Sequence, residues 1–277
     1  MLKSYELYNK DSQAVVYGYQ VKAIQRMLDF DYVCERSKPS VAAIINPTRT
    51  GFHKCFFGTK EILIPMYTNL ETCCRKHPDL DVCVNFASFR SSFAATMELI
   101  NDTPIKTIAV IAEGIPERDT RIMNVAARKA GKWIIGPATV GGVAAGQFRV
   151  GNAAGTIDNI VSCKMHRPGS IGFVSKSGGL SNEMYNVCGQ NADGIYEGVA
   201  IGGDRYPGTQ FMDHLQRYQD NPEIKMIVIL GEVGGTQEYE IVDNLKNGKL
   251  TKPVVAWCTG TCASAFKTEI QFGHAGA

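Results

Sequence analysis

The sequence predicts an α/β protein of two units, each a parallel sheet covered by helices on both faces. Three observations carry that expectation. Short apolar runs, such as VAAII at 41–45 and IAVIA at 108–112, are continuous rather than alternating. Such runs mark strands buried on both faces. Each run ends in Gly, Pro, Asn or Ser and leads into a segment of helical period, the rhythm of a parallel sheet with crossover helices. The 28 glycines among 277 residues suit many tight strand-to-helix turns, and at about 150 residues per domain the length suggests about two domains.

In chain order, Ala14–Gly18 reads as the first strand, followed by a helix near Val21–Leu28. Val41–Asn46 is the second strand, and the basic aromatic stretch TGFHKCFFGTK follows it. Ile62–Pro65 is a short strand before a helix near Leu70–Lys76. Val82–Ala87 precedes a helix near Ser92–Ile100. Ile108–Ala112 leads through EGIPE into a helix that ends near Ala130, and Trp133–Gly136 closes the first half. Residues 137–169 contain PATVGGVAAGQFRVGNAAG and lack a strong period, so they read as a long ordered connector. A second series follows. Ile171–Val174 runs into SKSGG and a helix from about Leu180. Gly198–Ile201 runs into GGDRYPG and a helix near Thr209–Tyr218. Met226–Leu230 runs into GEVGG and a helix near Gln237–Asn247, and Val254–Trp257 runs into CTGTC. The two halves divide near residue 169 and share a layout without a sequence repeat.

Composition narrows the function classes. An apolar fraction of 44% excludes a disordered chain. A net charge of +2 points to no nucleic-acid partner. No run approaches the roughly 20 apolar residues of a membrane helix, so no membrane partner is expected, and MLKSYELYNKDSQ is too polar for a secretory signal. The nine cysteines are odd in number and form no C-x-x-C pair. Free thiols fit a reduced, cytoplasmic compartment. Cys73 and His77 stand at i, i+4, but packing accounts for them better than a metal, and no metal site is expected.

Ligands of parallel α/β sheets bind at the carboxyl ends of strands, and here those ends are rich in glycine. In SKSGG, the residues Ser177, Gly178 and Gly179 would offer backbone N–H groups at a helix's positive end, the layout of an anion site. The first turn, GYQVKAI, has only Gly18 of a dinucleotide fingerprint, so no nicotinamide cofactor is expected. His274 in GHAGA is flanked by small residues that leave the ring reachable. An imidazole is a competent nucleophile toward phosphorus near neutral pH, and a carboxylate on one ring nitrogen would fix its tautomer. Glu113 and Glu232, both at strand ends, could supply that carboxylate. His53, His77, His166 and His214 read as packing or surface residues.

The motifs GPATVGG, VSKSGGLSNE, EGVAIGGDRYPG, LGEVGGTQE, LTKPVVAWCTGTC and FGHAGA together resemble the succinyl-CoA synthetase α-subunit superfamily. GPATVGG and GGDRYPG bring the resemblance closer to its ATP-citrate lyase branch, and with MLDFDYVC, KEILIP, NFAS and IAEGIP it runs over essentially the whole chain. The resemblance implies a Rossmann-like CoA-binding domain at 1–137, a connector at 138–169 and a flavodoxin-like ligase domain at 170–277. It implies that His274 is phosphorylated by ATP, that Glu113 and Glu232 hold it in two positions, and that Ser177, Gly178 and Gly179 bind the phosphoryl group and citrate. The phosphoryl group would pass to citrate, CoA would displace it to give citryl-CoA, and cleavage to acetyl-CoA and oxaloacetate would follow elsewhere. Gly18, Thr48, Ser88, Arg90 and Ser91 are the positions it implies for CoA, with Arg90 meeting a phosphate.

No segment resembles the ATP-grasp domain that would hold ATP and Mg²⁺, nor the citrate-synthase-like domain that would cleave citryl-CoA. The expectation is one part of a larger, oligomeric assembly, which binds CoA but does not complete the reaction by itself. Two other readings stay open: a succinate–CoA or citrate–CoA ligase subunit without lyase activity, and a CoA-binding module that is never phosphorylated.

Overall fold

A computed structural model describes residues 2–268 and His274. The first unit comprises β1 (Gln13–Tyr17), α1 (Val21–Val33), β2 (Val41–Ile45), β3 (Gly51–Phe57), β4 (Lys60–Tyr67), α2 (Leu70–Lys76), β5 (Leu80–Asn85), α3 (Ser92–Asp102), β6 (Thr107–Val110), α4 (Glu117–Lys129) and β7 (Trp133–Ile135). Its sheet runs β3-β4-β2-β1-β5-β6-β7. Every neighbour is parallel except the edge pair β3 and β4. From β1 the chain steps outward through β2 to β4, then crosses back to lay down β5, β6 and β7 on the other side. This Rossmann-like order reverses between β1 and β5, and a ligand crevice belongs at the carboxyl ends of those two strands.

Next come β8 (Gly141–Ala144), β9 (Phe148–Gly151) and α5 (Ile157–Ser162). The stretch that reads as a periodless connector therefore contains a hairpin and a helix. The hairpin adds antiparallel strands to the edge of the second sheet. Period alone could not reveal β8, because two of its four residues are glycines. The second unit continues with β10 (Ile171–Ser175), α6 (Gly178–Asn191), β11 (Ile195–Ala200), α7 (Phe211–Asp220), β12 (Met226–Glu232), α8 (Gln237–Lys246) and β13 (Val254–Thr259). Its sheet runs β13-β12-β10-β11-β8-β9, flavodoxin-like in its parallel part, with the reversal between β10 and β12.

Two strands depart from the continuous-run rule. β3 lies in the basic aromatic stretch, and its burial alternates: His53 and Cys55 point inward while Phe52 and Phe56 face outward. The polar and sulfur-bearing residues take the core side, so hydrophobicity gives the wrong face. β13 has a core-like composition, yet Val255 and Trp257 are more than half exposed because it is the edge strand.

A continuous core joins the two sheets. Val84, Ala109 and Ile135 of the first pack in one cluster with Val150, Val174, Ile201 and Phe211 of the second. A buried polar group lies beside it. The Arg217 guanidinium donates to Glu197 at 2.5 Å and to the carbonyl of Tyr5 at 2.8 Å, while Tyr218 Oη donates to the same carboxylate at 3.2 Å. Both charges are nearly inaccessible to water, so each depends on the other for compensation. Arg217→Met should therefore cost about 3–5 kcal/mol by stranding the Glu197 carboxylate. Urea unfolding should show a lower midpoint at unchanged slope, and replacing Glu197 by Leu as well should recover part of the loss. An unchanged midpoint in the single variant would contradict the pairing.

Candidate active site

The reversal point of the second sheet gathers the chemistry. β10 ends at Ser175 and β12 at Glu232, on adjacent strands. His274 Nδ1 lies 2.6 Å from Glu232 Oε2. On the other side, Lys176 Nζ stands 3.4 Å from Glu232 Oε1. Lys176 and Glu232 are buried, whereas the imidazole is about one-third exposed, at 35%. The ring rests against the loop after β11: a Cβ on Gly203 would come within 2.5 Å of His274 Cδ2, so any side chain there would displace it. Gly203 N–H donates to the Ala138 carbonyl at 3.3 Å, which ties this loop to the turn after β7. The carboxyl ends of both sheets thus meet around the histidine.

The same turn starts α6. Ser177 is its N-cap, and its hydroxyl accepts from Leu180 N–H at 3.3 Å. Ser175 Oγ accepts from Ser177 N–H at 3.0 Å and fixes the turn. The N–H groups of Gly178 and Gly179 have no acceptor among the described residues, and Gly179 faces open space. With no acidic residue in the first turn, the helix presents an uncompensated positive end. Gly178 is required sterically, since a Cβ would lie 2.7 Å from Val140.

Electrostatics couples the ring to its carboxylate. The hydrogen bond to Glu232 raises the imidazole above its ordinary value, against burial and the Lys176 charge, and Glu113 adds a weaker attraction. Burial pushes the Glu232 carboxyl up, but His274 and Lys176 outweigh it and hold the group below the usual carboxylate range. The signs define a window. The ring's proton is fully held below the usual imidazole range and lost as pH rises through the raised midpoint, while Glu232 loses its charge only at low pH. Glu113 is exposed at the end of β6 and acts through its field alone.

The residues that the resemblance assigns to CoA cluster at the other reversal. Gly18 follows β1 with φ +97, and a Cβ there would crowd Phe86 after β5 at 3.3 Å. Ser88 and Ser91 hydroxyls meet at 3.0 Å, Arg90 lies over the Phe89 ring at 5.3 Å, and all three residues are exposed. Thr48 follows β2, exposed, and donates to Asn46 Oδ1 at 2.8 Å. Sequence reasoning missed three neighbours. Lys176 and Gly203 stand inside motifs whose glycines and serines drew the reading. Arg49 lies 5.1 Å over the Tyr19 ring, whose hydroxyl meets His53 Nδ1 at 2.9 Å.

An imidazole, a carboxylate and an open helix terminus thus gather at the carboxyl end of a flavodoxin-like sheet. Residues 174–277 match the CoA-ligase family. Over nearly its whole length the chain is similar to ATP-citrate synthases. It is 57% identical to ATP-citrate synthase beta chain protein 1 of Arabidopsis thaliana over 98% of this chain and 45% of that protein. It is 57% identical to the ATP-citrate synthase of Homo sapiens over 99% of this chain and 25% of that one. The structure of ATP citrate lyase from Methanothrix soehngenii, in complex with citrate and coenzyme A, superposes with a TM-score of 0.97 at 59% identity, covering 99% of this chain and 45% of that one. A dinucleotide-forming acetyl-coenzyme A synthetase of Ca. Korarchaeum cryptofilum, 18% identical with a TM-score of 0.66 over 92% of this chain and 51% of that one, shares the fold. The resemblance read in the motifs is borne out, and the chain spans less than half the length of these curated relatives.

Glu232→Gln should lower the His274 midpoint, because the neutral amide removes the attraction that raises it. Titration of the ring by ¹H–¹⁵N NMR measures this, and an unchanged midpoint would refute the coupling.

Proposed function

We propose that this chain carries the CoA-ligase chemistry of an ATP-citrate lyase, forming citryl-CoA from citrate, CoA and ATP through a phosphohistidine. The observation that carries this reading is the Nδ1–Glu232 contact beside the free N–H groups of α6. Glu232 occupies Nδ1, so the lone pair on Nε2 is the nucleophile. Nε2 attacks the γ-phosphorus of ATP, the P–N bond forms, the bond to the ADP oxygen breaks, and the ring keeps its Nδ1 proton. The Glu232 carboxylate stabilises the positive charge that develops on the ring.

In the second step a citrate carboxylate attacks the phosphorus and the P–N bond breaks, which returns a neutral imidazole and yields an acyl phosphate. The N–H groups of Gly178 and Gly179, with the helix's positive end, suit either anion. The CoA thiolate then attacks the acyl carbon, forming the C–S bond and releasing phosphate. The crevice between β1 and β5 suits CoA, since Gly18 allows close backbone approach and Arg90, which makes no ion pair among the described residues, offers a cation to a phosphate. Citrate and CoA bound to the Methanothrix soehngenii enzyme support both assignments. ATP and Mg²⁺ would be held mainly by an ATP-grasp partner, and a citrate-synthase-like domain would cleave the product to acetyl-CoA and oxaloacetate.

Two experiments test the reading. Incubated with γ-labelled ATP, Mg²⁺ and the nucleotide-binding partner, the chain should acquire acid-labile, base-stable label on His274 Nε2, discharged by citrate with CoA but not by succinate. His274→Asn should abolish the label, and Glu232→Gln should slow its formation about 100-fold. No label in the wild type, or discharge by succinate alone, would sink the proposal. For the CoA crevice, calorimetry should show Arg90→Ala weakening CoA binding roughly tenfold to a hundredfold, as expected for a charged hydrogen bond. Equal affinities would remove Arg90 from the site.

A further inference from the structure

We propose that Lys176 is a positioning residue for the phosphoryl carrier: its ammonium group orients the Glu232 carboxylate and shares its charge with the ring, which leaves His274 free to act as a neutral nucleophile. This inference rests on the reading of His274 as the residue phosphorylated.

A lysine buried to 4% exposure is costly unless a partner compensates it. Its ion pair, with Glu232 Oε1 at 3.4 Å, engages the oxygen opposite the one that meets Nδ1. That oxygen has no hydrogen-bond partner among the described residues, so the ammonium is its main compensation. Lys176 backbone N–H donates to the Leu230 carbonyl at 3.2 Å, which fastens the base of the side chain to the neighbouring strand, two residues before Glu232. One carboxylate therefore lies between two cations, or between a cation and a neutral ring.

The consequence is electrostatic. Glu232 favours the protonated ring, and an imidazolium has no lone pair to offer phosphorus. Lys176 opposes that protonation. The other charged groups that act on the ring are Glu232 from β12 and Glu113 from the end of β6. Both are acidic. Lys176 is the cation set against them, and it keeps the carboxylate in place when the ring carries a phosphoryl group.

The test is the pH dependence of phosphorylation in the assembly with its nucleotide-binding partner, together with the imidazole titration followed by NMR. Lys176→Met should raise the ring's midpoint. Each unit of that rise removes tenfold of the neutral form below the midpoint, so the variant should fall severalfold behind on the acid side of the midpoint and converge on the wild type at alkaline pH. Lys176→Arg should restore the wild-type profile, and Lys176→Gln serves in place of the methionine variant if that one fails to fold. A loss that is equal at every pH, an unmoved midpoint, or an arginine variant that behaves like methionine would overturn the assignment. If the wild type takes up no phosphoryl group, the reading of His274 falls instead, and the titration alone still decides whether Lys176 shares the carboxylate.

Discussion

The Glu232 carboxylate is the point on which this structure turns. It sits at the carboxyl end of β12, next to the strand that delivers Lys176 and the start of α6. Buried charge is tolerated only with compensation, and here the compensation comes from both sides, from a lysine and from an imidazole forty-two positions away in sequence. That arrangement fixes which ring nitrogen is engaged and leaves the other available. It also explains the glycine at 203: the ring reaches the carboxylate because the loop after β11 has no side chain in its path.

Two sheets supply two reversal points, and the strand orders decide where each lies. In the first sheet the reversal collects Gly18, Ser88, Arg90 and Ser91, with Thr48 one strand further on. In the second it collects Lys176, Ser177 and Glu232. Contacts between the turn after β7 and the loop after β11 bring the carboxyl ends of the two sheets toward one another. The field of Glu113, from the first sheet, therefore reaches the histidine of the second. On the proposed function, a thiol donor held by one unit and an activated acyl group held by the other would meet across that junction, and the core shared by both sheets makes the junction a packed contact rather than a hinge in solvent.

Local sequence determined much of this. Continuous apolar runs ended by small residues gave the parallel strands and their helices, with shifts at the ends and with α1 running on to Val33. Short motifs singled out His274, Glu113, Glu232 and the SKSGG turn, because glycine at a strand end and an acid beside it are local features. What a run of residues cannot express is which face is covered. β3 hid behind outward-facing phenylalanines, β8 behind its glycines, and β13 looked like a core strand although it lies at an edge.

Tertiary structure alone decided the strand order, and with it every distance in the site. The choice of Glu232 rather than Glu113 as the ring's hydrogen-bond partner is a matter of adjacency between strands far apart in the chain. Lys176 was invisible for the same reason. A lysine in a turn reads as solvated until the neighbouring strand is known to place a carboxylate against it, and only the folded chain excludes the water that would otherwise screen the pair.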